Sequence, residues 1–186
     1  MNSSLRLRMS FVAACLLGAT LVACQGPTDA TSSPGDLASI QADNVIFGMV
    51  SYLTSKGVRQ GRIDADTAYI YNDSSSIQLE GMHVIFYAED GSERAVVVAE
   101  RGELDQVSDR MVARGNVVLT IHTDGRKIES PELQYDPNRD RIWSDSATVM
   151  TMADGRVTRG TSFESDLSFD NVTVANPRGA IGEIVF

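Results

Sequence analysis

From Ala65 onward the chain repeats a pattern of strands and turns with a period of 31 to 34 residues. Segments that start at Ala65, Ala99 and Ser130 align with one another, and sixteen positions later they carry Gly81, Gly115 and Ser146. Each segment then passes through an apolar run into a turn, at Asp90-Gly91, Asp124-Gly125 and Asp154-Gly155. Asp-Gly between apolar runs is typical of β-hairpins. A repeat of this length predicts stacked hairpins, each of which needs its neighbours to cover its apolar face.

Alternation of apolar and polar residues predicts which face of each strand is covered, because successive side chains on a strand point to opposite sides. One parity is mostly apolar in all three segments, and it carries Ile77, Leu79, Gly81, His83, Ile85 and Tyr87; Met111, Ala113, Gly115, Val117, Leu119 and Ile121; and Ile142, Ser144, Ser146, Thr148, Met150 and Met152. The other parity is mostly polar, with Met82, Val84, Phe86, Val118, Trp143 and Val149 as the larger apolar exceptions. The pattern predicts an apolar inner face and a polar, solvent-exposed outer face.

Helix signals are nearly absent after Gly57, where Gly, Pro, Asn and Asp interrupt every long amphipathic run. The sequence therefore predicts an all-β domain. The one helical candidate is residues 37–55, whose apolar residues are roughly helix-spaced, but the stretch 43–53 fits a strand of the sheet equally well.

The first residues resemble the signal of a bacterial lipoprotein precursor. Arg6 and Arg8 precede an apolar run of a dozen residues, which is too short to cross a bilayer core of ~30 Å as a helix. Leu21-Val22-Ala23-Cys24 follows as a lipobox. We expect residues 1–23 to be a signal peptide, Cys24 to carry acyl chains (palmitate or a similar chain), residues 24–39 to be a flexible tether and residues 40–186 to be the folded domain.

Charge and cysteine content exclude several classes of function. Loss of residues 1–23 removes two of 16 basic side chains and none of the 25 acidic ones, which changes the net charge from −9 to 14 − 25 = −11. Such a balance repels nucleic acid, so we expect no nucleic-acid partner. Cys15 lies in the expected signal and Cys24 is the expected lipid attachment site, which leaves no thiol for a disulfide, a zinc site or a nucleophile.

No catalytic or metal-binding set of residues stands out, and we expect neither an enzyme nor a cofactor. His83 and His122 are predicted to lie on opposite faces of their strands. The stretch from Asp136 to Asp140 resembles the start of a calcium loop, but Arg141 and Ala147 stand where such a loop needs Gly and Glu. The sequence therefore predicts a turn at this place.

The ordered set of motifs resembles the LptC family, the periplasmic component of the lipopolysaccharide export machine, over about residues 40–176. The motifs that carry the resemblance are Ala65-Asp66-Thr67-Ala68-Tyr69, Leu79-Glu80-Gly81-Met82-His83, Ala99-Glu100-Arg101-Gly102, Gly115-Asn116-Val117-Val118, Ile128-Glu129-Ser130-Pro131-Glu132 and Gly155-Arg156-Val157-Thr158-Arg159-Gly160. No single motif is specific, but their order is.

The resemblance implies a partly open β-jellyroll whose apolar interior groove accepts the acyl chains of lipid A. In that family the domain receives lipopolysaccharide from the ATP-driven LptBFG transporter and passes it to LptA. On this basis the expected groove residues are Leu79, Ile85, Tyr87, Leu119, Ile121 and Met150. From periodicity alone, a sealed core made of the same residues is an equally open alternative.

Partners and location also follow from the resemblance. Transfer of lipid implies unpaired sheet edges, with residues 44–52 facing LptF and LptG and residues 163–174 facing LptA. Family members with a transmembrane helix sit in the inner membrane, so we expect a lipid anchor on its periplasmic side. Gln25 leaves an outer-membrane destination open. An LptA-like or purely scaffolding jellyroll lipoprotein is the alternative function.

Overall fold

The computed structural model describes residues 41–55 and 57–179, and in these residues it is an antiparallel sheet of eleven strands. The strands are β1 (Asn44–Ser55), β2 (Val58–Tyr71), β3 (Ser76–Tyr87), β4 (Glu93–Asp105), β5 (Met111–Ile121), β6 (Lys127–Asp136), β7 (Arg141–Ser144), β8 (Thr148–Thr151), β9 (Val157–Gly160), β10 (Ser162–Ser165) and β11 (Thr173–Ala175). A single turn of 3₁₀-helix, Pro137–Arg139, precedes β7. The prediction of an all-β, partly open jellyroll is confirmed. Within residues 37–55, for which the sequence allows either a helix or a strand, Asn44–Ser55 is a strand.

Strands β1 to β6 pair in chain order, and the sheet then divides. One half of β6 pairs with β8, which pairs with β9, while the other half pairs with β7, which pairs with β10 and then β11. In the described part of the chain, β1 and β11 end the main path and do not pair with each other. The jellyroll is therefore open along one side.

The three predicted hairpin turns are confirmed, and they share one hydrogen-bonding pattern. In each turn the carboxylate of the Asp accepts a hydrogen bond from the backbone N–H two residues later, at 2.9 Å for Asp90 and at 3.1 Å for both Asp124 and Asp154. Bonds from the Ser92 side chain and backbone lower the pKa of Asp90, and those from Arg156 lower the pKa of Asp154. The repeated Asp-Gly pairs thus stabilise equivalent turns.

Backbone pairing is interrupted at neighbouring positions in each of the strands β1 to β5. We call the residues at these positions the corner line, and they are Gly48, Asp66, Gly81, Glu100 and Gly115. Gly81 and Gly115 have positive φ angles of 65° and 81°, which residues with a Cβ rarely adopt. A Cβ at either position would also collide with the overlying carboxylate of Asp66 or Glu100. These glycines allow the sheet to bend along the corner line into two half-sheets.

The two half-sheets face each other across one hydrophobic core. Val84 and Val97 from one half-sheet and Met111 and Leu133 from the other belong to a single cluster of buried residues. Ile63, Leu119, Ile121 and Ile142 lie at its centre and are fully buried. The side chains that alternation assigned to the inner face do face the interior in β5 and in the strands around Ser144.

The faces that alternation assigned to the side chains are wrong for the second half of β3. Beyond Gly81 the core residues are Met82, Val84 and Phe86, which the alternation assigned to the outer face. His83 and Tyr87, assigned to the inner face, are partly exposed instead. The physical reason is the positive φ of Gly81, which breaks the two-residue alternation, so that every following side chain of β3 changes face.

Candidate functional site

A cleft of about 540 Å³ lies at one end of the jellyroll in the described residues. The hairpin that joins β1 and β2 and the ends of β3 and β4 form one wall, and residues around the 3₁₀-turn and after β10 form the other. The main lining residues are Leu53, Val58, Phe86, Tyr87, Arg94, Asp109, Tyr135, Asn138, Asp140 and Leu167. Both half-sheets contribute, so the cleft exists only because the sheet bends.

Aromatic rings form the inner end of this cleft. Phe86 packs against Tyr135 with ring centroids 5.3 Å apart, and it also meets the edge of Phe169 at 5.9 Å. On the core side of the same two rings, Phe86 and Tyr135, lies a gap of about 10 Å³, which is lined otherwise by apolar side chains. A gap of this size is smaller than a methylene chain needs. The interior behind the aromatic rings is therefore filled in this conformation.

The rim of the cleft is polar and carries charges of both signs. The Arg94 guanidinium donates a hydrogen bond to the Leu167 carbonyl at 3.4 Å, while Asp109 and Asp140 lie at the opposite wall. Burial raises the pKa of the Tyr135 phenol to about 12, and the negative charges of Asp109, Asp136 and Asp140 act in the same direction. Tyr135 thus stays a neutral, largely apolar surface at every physiological pH.

The raised pKa of Tyr135 predicts a loss of stability at alkaline pH. Below pH 10 the folded and unfolded chains both hold the phenol proton, whereas between pH 10 and pH 12 the unfolded chain releases it first. We expect the free energy of unfolding to fall by roughly 2 kcal/mol over this window because of Tyr135. Denaturant unfolding at several pH values should show a smaller fall in Tyr135→Phe. Parallel curves for the two proteins would contradict the prediction.

The structure distributes the six residues of the predicted groove over four environments. Leu79, Leu119 and Ile121 lie in the sealed core. Ile85 is buried but lies outside the core cluster, and Met150 packs half-buried against that cluster. Of the six, Tyr87 alone lines the cleft. Their contact with lipid stays a prediction.

Several residues of the cleft were missed by the sequence reading. Phe86 fell on the wrong face because of the bend at Gly81, and Tyr135, Leu167 and Phe169 lie outside the three aligned apolar runs. Leu53 belonged to the segment with two possible readings. The positive φ of Gly81 could have been suspected from the repeated glycine, but the meeting of these elements is a tertiary feature.

Strand β1 forms a second candidate surface at the edge of the sheet. In the described chain it pairs with β2 on one side only, and none of its twelve residues is charged. Phe47 is 67% exposed and Val50 is 50% exposed, with Ile46 and Tyr52 also exposed. A long apolar edge without charges is a surface to which another strand can add.

The edge at the C-terminal end differs from the predicted range 163–174. Phe163 is buried and pairs on both sides, with Ser144 of β7 and with Val174 of β11, so it lies inside the sheet. The terminal strand is β11, which has three residues. The prediction placed this edge too early because β10 and β11 are too short to be separated by alternation.

The described residues also bear on metal binding and on membrane spans. No group of three or more His, Cys, Asp or Glu side chains there is arranged to hold a metal ion. No helix in the same part of the chain is long and apolar enough to span a membrane. Cys24 and residues 24–39 lie outside the described residues, as does the expected signal peptide.

Comparison with known proteins gives a family. The family model described as "Lipopolysaccharide-assembly, LptC-related" matches residues 11–177. A solved structure that resembles the chain is that of LptH, the LptA homologous periplasmic component of the conserved lipopolysaccharide transport device from Pseudomonas aeruginosa. The similarity has a TM-score of 0.49 and 15% sequence identity, and it covers 67% of this chain and 86% of LptH. A search of curated proteins found no match.

Proposed function

The chain belongs to the LptC-related family of lipopolysaccharide-assembly proteins, and we propose that it accepts lipopolysaccharide from the LptBFG transporter and passes it to LptA. Its place of action in this proposal is the periplasmic side of the inner membrane. The observation that carries the proposal is the cleft between the half-sheets, which leads from solvent to the apolar core. The family is one of transport proteins, and the proposal needs no catalytic residue.

The inner end of the cleft suits an acyl chain. Leu53, Phe86 and Leu167 offer an apolar surface at its inner end, and transfer of a chain from water to such a surface gains ~25 cal/mol per Å² without directional bonds. The charged rim, with Arg94 opposite two carboxylates, keeps the entrance wet. Because the sheet is open between β1 and β11, the half-sheets can separate without breaking a closed barrel.

Photo-crosslinking in cells tests this proposal. A photoreactive amino acid at Leu53 or Tyr87 is expected to capture lipopolysaccharide, because both residues line the cleft. The matched positions are Glu80 and Arg114, which lie exposed on the outer face and should give little product. Equal yields at the two pairs of positions would contradict a lipid path through the cleft and would favour a scaffolding role.

The two ends of the sheet support the proposed order of partners. The uncharged edge of β1 can extend into a sheet of LptF or LptG, while β11 lies at the opposite end of the path and can extend into LptA. In such an arrangement backbone hydrogen bonds join the sheets. Lipid can then move along a continuous apolar surface.

Anchoring through Cys24 is the second part of the proposal. Two or three acyl chains on one cysteine hold a protein stably at a membrane, whereas one holds weakly. Cys24→Ala is expected to abolish labelling by radioactive palmitate and to release the chain from the membrane fraction. Cys15→Ala is the matched control and should change neither result. Retention of Cys24→Ala in the membrane would contradict the lipid anchor.

A further inference from the structure

Residues 166–172, which we call the strap, connect β10 to β11, and Leu167 and Ser168 within them line the cleft. The strap places Phe169 in the interior, where the side chain is 1% exposed. Phe169 has a φ of 61°, a left-handed conformation that is unfavourable for a bulky residue. An unfavourable backbone conformation persists only where the surroundings hold it, and such positions cluster at functional sites.

Phe169 packs against the aromatic rings that separate the cleft from the core. Its ring meets Phe86, which packs on Tyr135, and the latter two rings line both the cleft and the small apolar gap behind it. Leu167 and Ser168 of the strap form part of the cleft wall itself. An acyl chain that enters the core from the cleft therefore has to displace this aromatic contact.

Side chains of the sheet hold the strap in place. Arg126 donates to the Phe169 carbonyl at 2.9 Å, Arg94 donates to the Leu167 carbonyl at 3.4 Å, and Asp140 accepts from the Leu167 N–H at 3.3 Å. In the described structure the strap makes no backbone ladder with a strand. Side-chain bonds of this kind can break without unfolding the sheet.

Internal bonds give the strap a shape of its own. The Asp166 carboxylate accepts from the Asn171 side-chain amide at 2.5 Å and from the Asp170 N–H at 3.1 Å, and the Phe169 N–H donates to the Asp166 carbonyl at 3.2 Å. These bonds do not involve the sheet. The strap can therefore keep its shape when the bonds to Arg126, Arg94 and Asp140 break and Phe169 leaves the core.

We propose that the strap is a gate, in which Phe169 occupies the place that an acyl chain takes when lipopolysaccharide is loaded. This inference rests on the proposed function, since it names the element that lipid displaces. If the closed state predominates, the observed affinity for lipid is lowered by the small fraction of open molecules. Weakening the contacts that hold the strap should then tighten lipid binding, which is the opposite of what loss of a binding residue does.

The chain contains a matched pair of arginines for this test. Arg126 and Arg156 occupy the same position in two Asp-Gly turns, and each pairs with the Asp two residues before it. Of these two, Arg126 also holds the strap. Arg126→Ala and Arg156→Ala therefore remove the same turn contact, and the difference between them reports the contact with Phe169 together with the greater burial of Arg126, whose side chain is 14% exposed against 52% for Arg156.

The experiment uses the full-length, membrane-extracted chain with a photoreactive residue at Leu53, titrated with lipopolysaccharide. Loss of one hydrogen bond from a charged group predicts that Arg126→Ala lowers the half-saturating concentration about tenfold or more. Arg156→Ala should match the parent protein. Equal values for both variants, or weaker binding in Arg126→Ala, would overturn the gate while leaving the proposed function intact. Absence of labelling in the parent protein would overturn both.

Phe169→Ala provides a second measurement. Removal of the ring empties the position that the acyl chain is proposed to take, so labelling of the folded fraction should again become tighter. Because this variant loses core packing, its folded fraction is first determined by thermal unfolding. Weaker labelling of the folded protein would show that Phe169 contributes to the lipid site and would overturn the gate.

Discussion

A proline in the middle of β1 is expected to abolish co-purification with the LptBFG complex while the jellyroll stays folded. Val50 and Ser51 are adjacent in β1, opposite Asp64 and Ile63 of β2. Successive backbone N–H groups of a strand point to opposite sides, so one of the two prolines spares the ladder to β2 and removes a donor on the free edge. That variant should fold and should bind at least about tenfold more weakly, since one lost bond and one steric clash both act against strand addition.

The matching alanine variants, Val50→Ala and Ser51→Ala, keep both N–H groups and serve as controls. Circular dichroism and thermal unfolding identify which proline variant retains the fold. Binding of LptA, which the proposal assigns to the other end of the sheet, should be unchanged in that variant. Full retention of LptBFG by a folded proline variant would show that the edge of β1 is not the contact.

Leu119→Ala is expected to lower the free energy of unfolding by about 3 kcal/mol, because Leu119 is fully buried between the half-sheets. The loss combines the lost burial of three carbon atoms with the cavity that they leave. For a domain of this size the unfolding midpoint should fall by roughly 10 °C. Val98→Ala is the control, since Val98 on the neighbouring strand is 46% exposed and should change stability by less than about 0.5 kcal/mol.

This measurement separates the two interpretations that alternation left open for Leu119. A residue of a sealed core gives the large loss, whereas a residue that lines an open, hydrated groove loses little when it is shortened. A change below about 1 kcal/mol in Leu119→Ala would therefore contradict the packed interior and would favour a permanently open groove. The large loss would mean that lipid must widen the space between the half-sheets before it reaches Leu119.

Alternation and turn chemistry predicted β5 and the hairpin turns well. In β5 two successive residues with positive φ, Gly115 and Asn116, leave the alternation from Met111 to Ile121 intact, and all three Asp-Gly turns form. In β3 the same reasoning failed after Gly81, because one residue of positive φ exchanges the faces of all that follow. The periodicity of the sequence does not indicate where a bend of this kind occurs.

The cleft could not be predicted because its walls are far apart in the chain. Leu53, Phe86, Tyr135 and Leu167 come from separate elements, and each is unremarkable among its sequence neighbours. They meet where the half-sheets open. Phe169 offered still less signal, since it follows the last repeat in a short polar segment and is buried only through its contact with Phe86.

Local backbone preferences and residue order are enough to predict the all-β class, the positions of the hairpin turns and the resemblance to a lipopolysaccharide-assembly family. They also predict the lipid anchor at Cys24. Which apolar residues are sealed, where the cleft lies and what closes it depend on contacts between distant segments. These contacts arise from the bend along the corner line, which turns one sheet into two facing half-sheets and brings Phe86, Tyr135 and Phe169 together from distant parts of the chain.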